Sequence, residues 1–289
     1  MSTHEQLSKQ ATLASILVAL VLIISKTWVY WATGSVSLLG SLLDSILDGV
    51  TSLMNFIALR YALVPADDEH KFGHGKLESI AALGQSAFMI GSAVVLVLTS
   101  FDAMLDKRQV VNTEWGIWVS LLAIVLTLAL VRFQKYVLTQ TKSLIVEADS
   151  LHYQGDLLMN MAVLLAMVMV GFGIYWIDAV MAIGIGIFLC FNAWQVGRRA
   201  FEDLMDSQLP EVEKKIEELV RASRGCEGCH DVRCRMSGQN LFVQFHLELD
   251  ENLALWSAHE IAERIEKHII AEYPHADIII HQDPVLVEN

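Results

Sequence analysis

The chain is dominated by apolar stretches too long for a soluble fold to bury. A helix rising about 1.5 Å per residue needs about 20 apolar residues to cross a hydrocarbon layer. Six stretches reach that length, near residues 11–33, 36–60, 80–101, 114–137, 144–171 and 176–197. Composition agrees, with 54% hydrophobic and only 18% charged residues; soluble domains average about 45–50% and 25%. The runs are continuous, which disfavours the alternating pattern of a membrane β-barrel. The first run starts too far in, after too weak a basic start, for a cleaved secretory leader, so it is expected to be a retained span. The short breaks Thr33-Gly34-Ser35 and Gly171-Phe172-Gly173 predict tight hairpins between spans one and two and between spans five and six.

Six hairpin-connected spans put both termini on one side. That side carries Lys9, Arg60, Lys71, Lys76, Arg132, Lys135, Lys142, Arg198 and Arg199, and the other carries Lys107 and Arg108. The side richer in Lys and Arg is the cytoplasmic one. Cys226, Cys229 and Cys234 then lie in a reducing compartment, where a disulfide framework is not expected.

Charge divides the chain. Residues 201–289 hold 8 Lys and Arg against 19 Asp and Glu, whereas residues 1–200 hold 12 against 14. Most of the net charge of −13 therefore sits in the tail. Such a balance excludes a nucleic-acid partner, which needs concentrated basic charge. The tail also changes period. Helices are predicted over 211–222 and 255–272, and strands over 230–236, 241–249 and 278–281, with Ser237-Gly238-Gln239-Asn240 as a turn. The expected fold class is a membrane all-α six-helix transmembrane domain, residues 1–205, plus a small cytoplasmic α+β (αββαβ) domain, residues 206–289.

Span two contains Asp44 and Asp48, and span five contains His152 and Asp156. Each pair is four residues apart, hence on one helix face, and near mid-bilayer. A charge at that depth costs at least about 2.5–3.5 kcal/mol. One such acid is commonly hydrogen-bonded to a neighbour or lines water. Two pairs at matching depth point instead to a shared ligand. Three carboxylates and one imidazole suit tetrahedral Zn²⁺. Octahedral all-oxygen sites suit Mn²⁺. Metal binding needs deprotonated ligands and so releases protons. A carrier exposing this site alternately to two sides would exchange metal for protons, with His152 as proton carrier. Glu147 and Asp149 read as lining the way in or as a solvated helix start, and Lys26 as snorkelling from an end of span one. Met159, Met161, Met167 and Met169 read as packing or lipid-facing residues, not copper ligands.

In the loop after span two, Asp67, His70 and His74 form either a second metal site or a solvated acidic loop. In the tail, His230, His246, His259, His281 and Asp283 form either a zinc cluster at the sheet edge or ordinary surface residues. His281 and Asp283 lie two apart and therefore on one side of their strand. Cys226-Glu227-Gly228-Cys229 either extends that cluster, responds to redox state, or has no such role, and Cys234 reads as core.

Six spans, Asp44-x-x-x-Asp48, His152-x-x-x-Asp156, the loop Pro65-Ala66-Asp67-Asp68-x-His70-x-Phe72-Gly73-His74-Gly75-Lys76 and the ending His281-Gln282-Asp283-Pro284 form a specific combination. Over nearly its whole length the chain resembles the cation diffusion facilitator family, on its bacterial YiiP-type (ferrous-iron/zinc efflux) branch. The resemblance implies a transport site at Asp44, Asp48, His152 and Asp156, and a loop site at Asp67, His70 and His74. It implies a binuclear cytoplasmic site at His230, His246, His259, His281, Gln282 and Asp283. It further implies a homodimer formed through the cytoplasmic domain, and a charge contact between Lys76 and Asp206 near the membrane surface. The pair Cys226/Cys229 departs from that branch.

The function expected is efflux of a divalent metal, Zn²⁺ first and Cd²⁺ or Fe²⁺ next, across a bacterial inner membrane by proton antiport. Zinc would be both transported and structural, and no enzyme activity is expected. The alternatives are a membrane-anchored metal sensor without transport and an intramembrane hydrolase. The sensor leaves the buried acids without a role, and the hydrolase lacks a G-x-G-D motif.

Overall fold

The computed structural model describes residues 3–33, 36–106, 114–170, 172, 177–238 and 240–285. Gly34, Ser35, Lys107, Arg108, Gly171, Gly173, Gln239 and the side chain of Met167, all used above, lie outside the described residues. The chain separates into two compact units, Met1–Phe201 and Glu202–Asn289.

The first unit is helical, with α1 (Thr3–Thr33), α2 (Val36–Ala62), α3 (Lys76–Asp106), α4 (Glu114–Thr141), α5 (Leu144–Val170) and α6 (Ile177–Leu204). Among the described residues, α1, α2, α3, α4 and α6 each carry a stretch long and apolar enough to cross a membrane. The first half of α5 holds Glu147, Asp149, His152 and Asp156. The unit is built inside out relative to a soluble bundle. Leu17, Met54, Leu98, Val125 and Trp194 face outward and Trp31 is 84% exposed, while Ser15, Ser52 and Gln134 are completely buried. That arrangement is stable only if lipid covers the outside, because polar groups then find partners solely within the bundle. Helix α1 packs on α2 and α4, and α4 packs on α5. Small side chains let α3, α5 and α6 come close: Ala82 on α3, Ala148 on α5, and Ala193 and Ala200 on α6 share one buried cluster with Met89, Leu151 and Val196.

The second unit follows the expected α-β-β-α-β order: α7 (Pro210–Arg221), β1 (Gly228–Ser237), β2 (Asn240–Asp250), α8 (Leu255–Glu272) and β3 (Ala276–Val285). Pro210 starts α7, where its missing N–H costs nothing. Strands β1 and β2 pair antiparallel, and α8 carries the chain over so that β3 pairs parallel to β2. One sheet face packs against the helices through Val243, Phe245, Leu247, Ile216, Val220, Ile265 and Ile269. The other face is left for polar residues.

Strand β1 contains an irregularity that alternation does not foresee. His230 pairs with His246, but the next partners are Arg233 and Gln244. One extra residue is thus inserted at Asp231–Val232, and Asp231 adopts φ 51°. Asp tolerates this left-handed conformation better than most residues. The bulge resets the phase of the strand. Cys229, before it, and Cys234, after it, are 4% and 5% exposed and both face the core, although one is odd-numbered and the other even.

Candidate metal centres

Among the described residues, three groups of side chains could each close around one ion, with ligand atoms within 4.8 Å of one another: Asp48, His152 and Asp156; Asp67, His70 and His74; His230, His246 and Asp283.

In the helical unit the i,i+4 spacing sets His152 and Asp156 on one face of α5, opposite Asp48 on α2. His152 Nε2 lies 3.0 Å from Asp48 Oδ1 and 3.8 Å from Asp156 Oδ2. Asp156 Oδ2 is buried and has no hydrogen-bond partner, an unusual state for a buried carboxylate oxygen. Next to each acid stands a glycine at a close approach. A Cβ on Gly155 would fall 2.9 Å from Leu189 of α6, and one on Gly49 would fall 3.0 Å from Ile23 of α1. A cavity of ≈ 200 Å³ opens beside His152 and Asp156, walled by Met89, Ala93 and Leu96 of α3 and Leu189 of α6. Asp44 is not among the three convergent groups and is exposed, one turn from Asp48.

Two ionisable residues behave differently from the expectation. Lys26 does not snorkel. It is 8% exposed and donates to Ser41 O at 3.0 Å and Ser45 Oγ at 2.7 Å, on the helix that carries Asp44 and Asp48. Asp149 is neither solvated nor lining an opening, being 1% exposed. It accepts hydrogen bonds from Ser15 Oγ at 2.5 Å, Gln134 Nε2 at 2.7 Å and Asn55 Nδ2 at 3.0 Å. Asn55 also donates to Gln85 Oε1. The network thereby joins α1, α2, α3, α4 and α5, one turn of α5 before His152. Tyr153 adds a further tie between α5 and α2, its hydroxyl 2.8 Å from Ser52 Oγ. Sequence reading missed this assembly; its only trace is an isolated polar residue in each of several apolar runs. Glu147 accepts from Arg199 Nη2 at 2.5 Å.

The loop triad is folded by its own backbone. Asp67 Oδ1 accepts from the N–H groups of His70 and Glu69, and Gly73, at φ 75°, turns the chain so that His74 returns to Asp67. His70 Nδ1 and His74 Nε2 lie 3.4 and 3.5 Å from the two Asp67 oxygens. The His70 N–H holds the Asp67 carboxyl below the usual carboxylate range, aided by the Glu69 N–H and the two imidazoles. A carboxylate kept ionised between two imidazoles is suited to a cation.

The tail group arises from sheet register. His230, His246 and His281 are directly paired across β1, β2 and β3, on the face away from the helices. Their rings follow one another at 4.9 and 4.7 Å. The next row on the same face is Gly228, Glu248 and Asp283. Asp283 Oδ2 lies 2.7 Å from His246 Nδ1 and 3.6 Å from His230 Nε2, and Oδ1 lies 3.2 Å from His281 Nε2. The hydrogen bond with His246 is the main reason its carboxyl titrates below the usual range. Two carboxylate oxygens facing different histidines form a bridge that could serve two ions. Gln282 alternates with His281 and Asp283 and pairs with the core residue Leu247, so it belongs to the other face. His259 is exposed on α8, in the helix layer, beside Trp256. Neither residue joins the row of histidines within this unit. Cys229 packs in the core and Cys226 against it, and burial pushes both thiols up, Cys229 pointing away from His230. Asp206 lies 3.6 Å from Arg235 of the same unit; Lys76 begins α3.

Two family profiles match the chain: the cation efflux transmembrane domain over residues 12–205, and the cytoplasmic domain of cation efflux proteins over residues 209–285. The chain belongs to the cation efflux (cation diffusion facilitator) family. It is thus a multi-pass membrane transporter that moves divalent metal cations outward. Among its family relatives are three proteins described as cation-efflux pump FieF. That of Pectobacterium carotovorum subsp. carotovorum is 47% identical over 283 residues, 98% of this chain and 94% of the relative. That of Pectobacterium atrosepticum is 46% identical with the same shares. That of Cronobacter sakazakii is 45% identical over 285 residues, 98% and 95% of the two chains. Among solved structures, a putative zinc transporter CzrB is similar at 25% identity, covering 27% of this chain and 96% of that one, with a TM-score of 0.26. MamM-CTD 215-293 is similar at 19%, covering 26% and 98%, with a TM-score of 0.25.

Proposed function

We propose that this cation efflux protein exports Zn²⁺ from the cytoplasm across a bacterial inner membrane in exchange for protons. Asp44, Asp48, His152 and Asp156 are the transport ligands. The observation that carries the reading is the convergence of His152, Asp48 and Asp156 around a buried, unpartnered carboxylate oxygen. Two carboxylates and one imidazole at short range, with a third carboxylate one helical turn away, favour Zn²⁺. Asp44, one helical turn from Asp48, supplies the fourth ligand by a rotamer change. Protons and metal compete for the same four ligands, so the side richer in protons discharges the ion and the side poorer in protons loads it. The cavity walled by α3 and α6 is one route to the ion, and movement of these helices against α2 and α5 would open and close it.

The loop triad Asp67, His70 and His74 holds a second, more accessible ion. Residues 206–289 form a metal-binding dimerisation domain whose ligands are His230, His246, His281 and Asp283. His259 and Gln282 stand on the helix side of their own chain, so they can complete this site only across a dimer. Both termini face the cytoplasm.

The experiment is zinc flux in proteoliposomes with and without an imposed proton gradient. Uptake that follows the gradient and vanishes in Asp48→Ala supports antiport. Flux indifferent to the gradient removes the exchange mechanism. If the full chain binds zinc but moves none, the membrane-anchored sensor is the better reading.

A further inference from the structure

Among the described residues, Glu248 is the one carboxylate beside the row of tail histidines with no role so far. Its Oε1 lies 2.8 Å from His230 Nδ1. The opposite ring nitrogen, Nε2, is the one that points at Asp283 Oδ2, 3.6 Å away. One imidazole thus bridges two carboxylates, and the nitrogen facing Glu248 is turned away from the proposed ion.

The reason Glu248 can reach this position lies on the neighbouring strand. Gly228 is its direct cross-strand partner. A Cβ on Gly228 would lie 2.0 Å from Glu248 Oε2 and 3.0 Å from its Cδ. The nearest atoms belong to the end of the Glu248 side chain, so a methyl group there would displace the carboxylate and leave the strand in place. Glycine at 228 is a vacancy filled by the Glu248 carboxylate. It also stands just before Cys229, so the C-x-x-C spacing positions this glycine, while the thiols themselves face the core.

We infer that Glu248, seated over Gly228, is a positioning residue for the tail metal site: it accepts the Nδ1–H of His230 and so fixes the ring with its Nε2 lone pair aimed at the ion. An imidazole ligand whose far N–H is held by a carboxylate is oriented, locked in one tautomer and made a stronger donor. Removal of such a partner lowers metal affinity by about 10–100-fold. This inference rests on the proposed tail site and deepens it.

The test uses the full chain in detergent, with Asp156→Ala silencing the membrane site, and zinc affinity and stoichiometry measured by chelator competition. Glu248→Ala and Gly228→Ala are expected to weaken tail zinc by about tenfold or more. The number of ions bound and the melting temperature of the metal-free protein should not change. Glu248→Gln, which keeps an acceptor oxygen, should fall between parent and Glu248→Ala. Affinities within twofold of the parent for both Glu248→Ala and Gly228→Ala would overturn the inference. So would a lost ion, which would make Glu248 a ligand, a metal-free melt lowered in step, which would make it merely structural, or a Gln variant no better than Ala. His246→Ala separates the two levels: if it leaves tail zinc unchanged, the tail site itself is wrong, and if it abolishes tail zinc while Glu248→Ala and Gly228→Ala stay within twofold of the parent, only the positioning role fails.

Discussion

Asp149→Ala is expected to loosen the helical unit without removing a metal ligand. Three donors converge on this carboxylate, from α1, α2 and α4. Each retains a second partner after truncation. Ser15 Oγ can turn to Ala11 O, Asn55 keeps Gln85, and Gln134 keeps Ser15. No donor is left bare, so the loss is that of the hydrogen bonds to a carboxylate, about 1.5–3 kcal/mol each. They share one network and do not add; a total of about 3–5 kcal/mol is the reasonable expectation. Asp149→Asn keeps the volume and one acceptor oxygen and should lose about half as much. At about 2–4 °C per kcal/mol for a unit of this size, Ala should melt about 10 °C below the parent and Asn about 5 °C below, by thermal unfolding in detergent. Zinc affinity of the Asn variant should change far less than its stability, because Asp149 spends its oxygens on Ser15, Asn55 and Gln134 and not on the convergent triad. Melting of both variants within about 1 °C of the parent would refute the reasoning, and loss of zinc from the Asn variant would place Asp149 among the ligands.

Asp156→Ala should abolish zinc flux, whereas Asp67→Ala should reduce it severalfold at most, because the loop site is half-exposed; the reverse order in proteoliposomes would interchange the roles assigned to the two sites. His246→Ala should lower zinc bound by the tail and shift the chain towards monomer in sedimentation, an outcome absent if the domain does not dimerise through metal. Burial pushes the Cys234 thiol up to about 12, and Cys226 and Cys229 are raised in the same direction. A thiol raised this far is almost entirely protonated at pH 8, so alkylation followed by mass spectrometry should leave Cys234 unmodified until the domain unfolds. Rapid labelling of the native protein would contradict its place in the core.

The acid pairs were legible because helical spacing alone puts residues four apart on one face, and because charge in a long apolar run is expensive enough to demand a purpose. What spacing does not give is which side of an apolar helix turns inward. Lys26 and Asp149 sit in such helices, and their buried partners, Ser45 for one and Ser15, Asn55 and Gln134 for the other, are scattered over separate helices. In the tail, alternation placed His246, His281 and Asp283 on one face. It also put Gln282 on the opposite face, where register confirms it, although the resemblance groups it with the ligands. The bulge at Asp231 was not legible, since it depends on the pairing of β1 with β2. Glu248 was missed for a related reason: on its own strand it is an ordinary polar position, and only the register shows a glycine opposite it.

The most direct measurement is zinc bound per chain together with zinc flux for the full protein and its Asp48→Ala variant, in the same detergent and vesicle preparations. The account predicts that the variant loses one membrane-bound ion and all proton-driven flux while the tail keeps its zinc. A variant that still transports at the parent rate would contradict the claim that Asp48, His152 and Asp156 enclose the ion in transit.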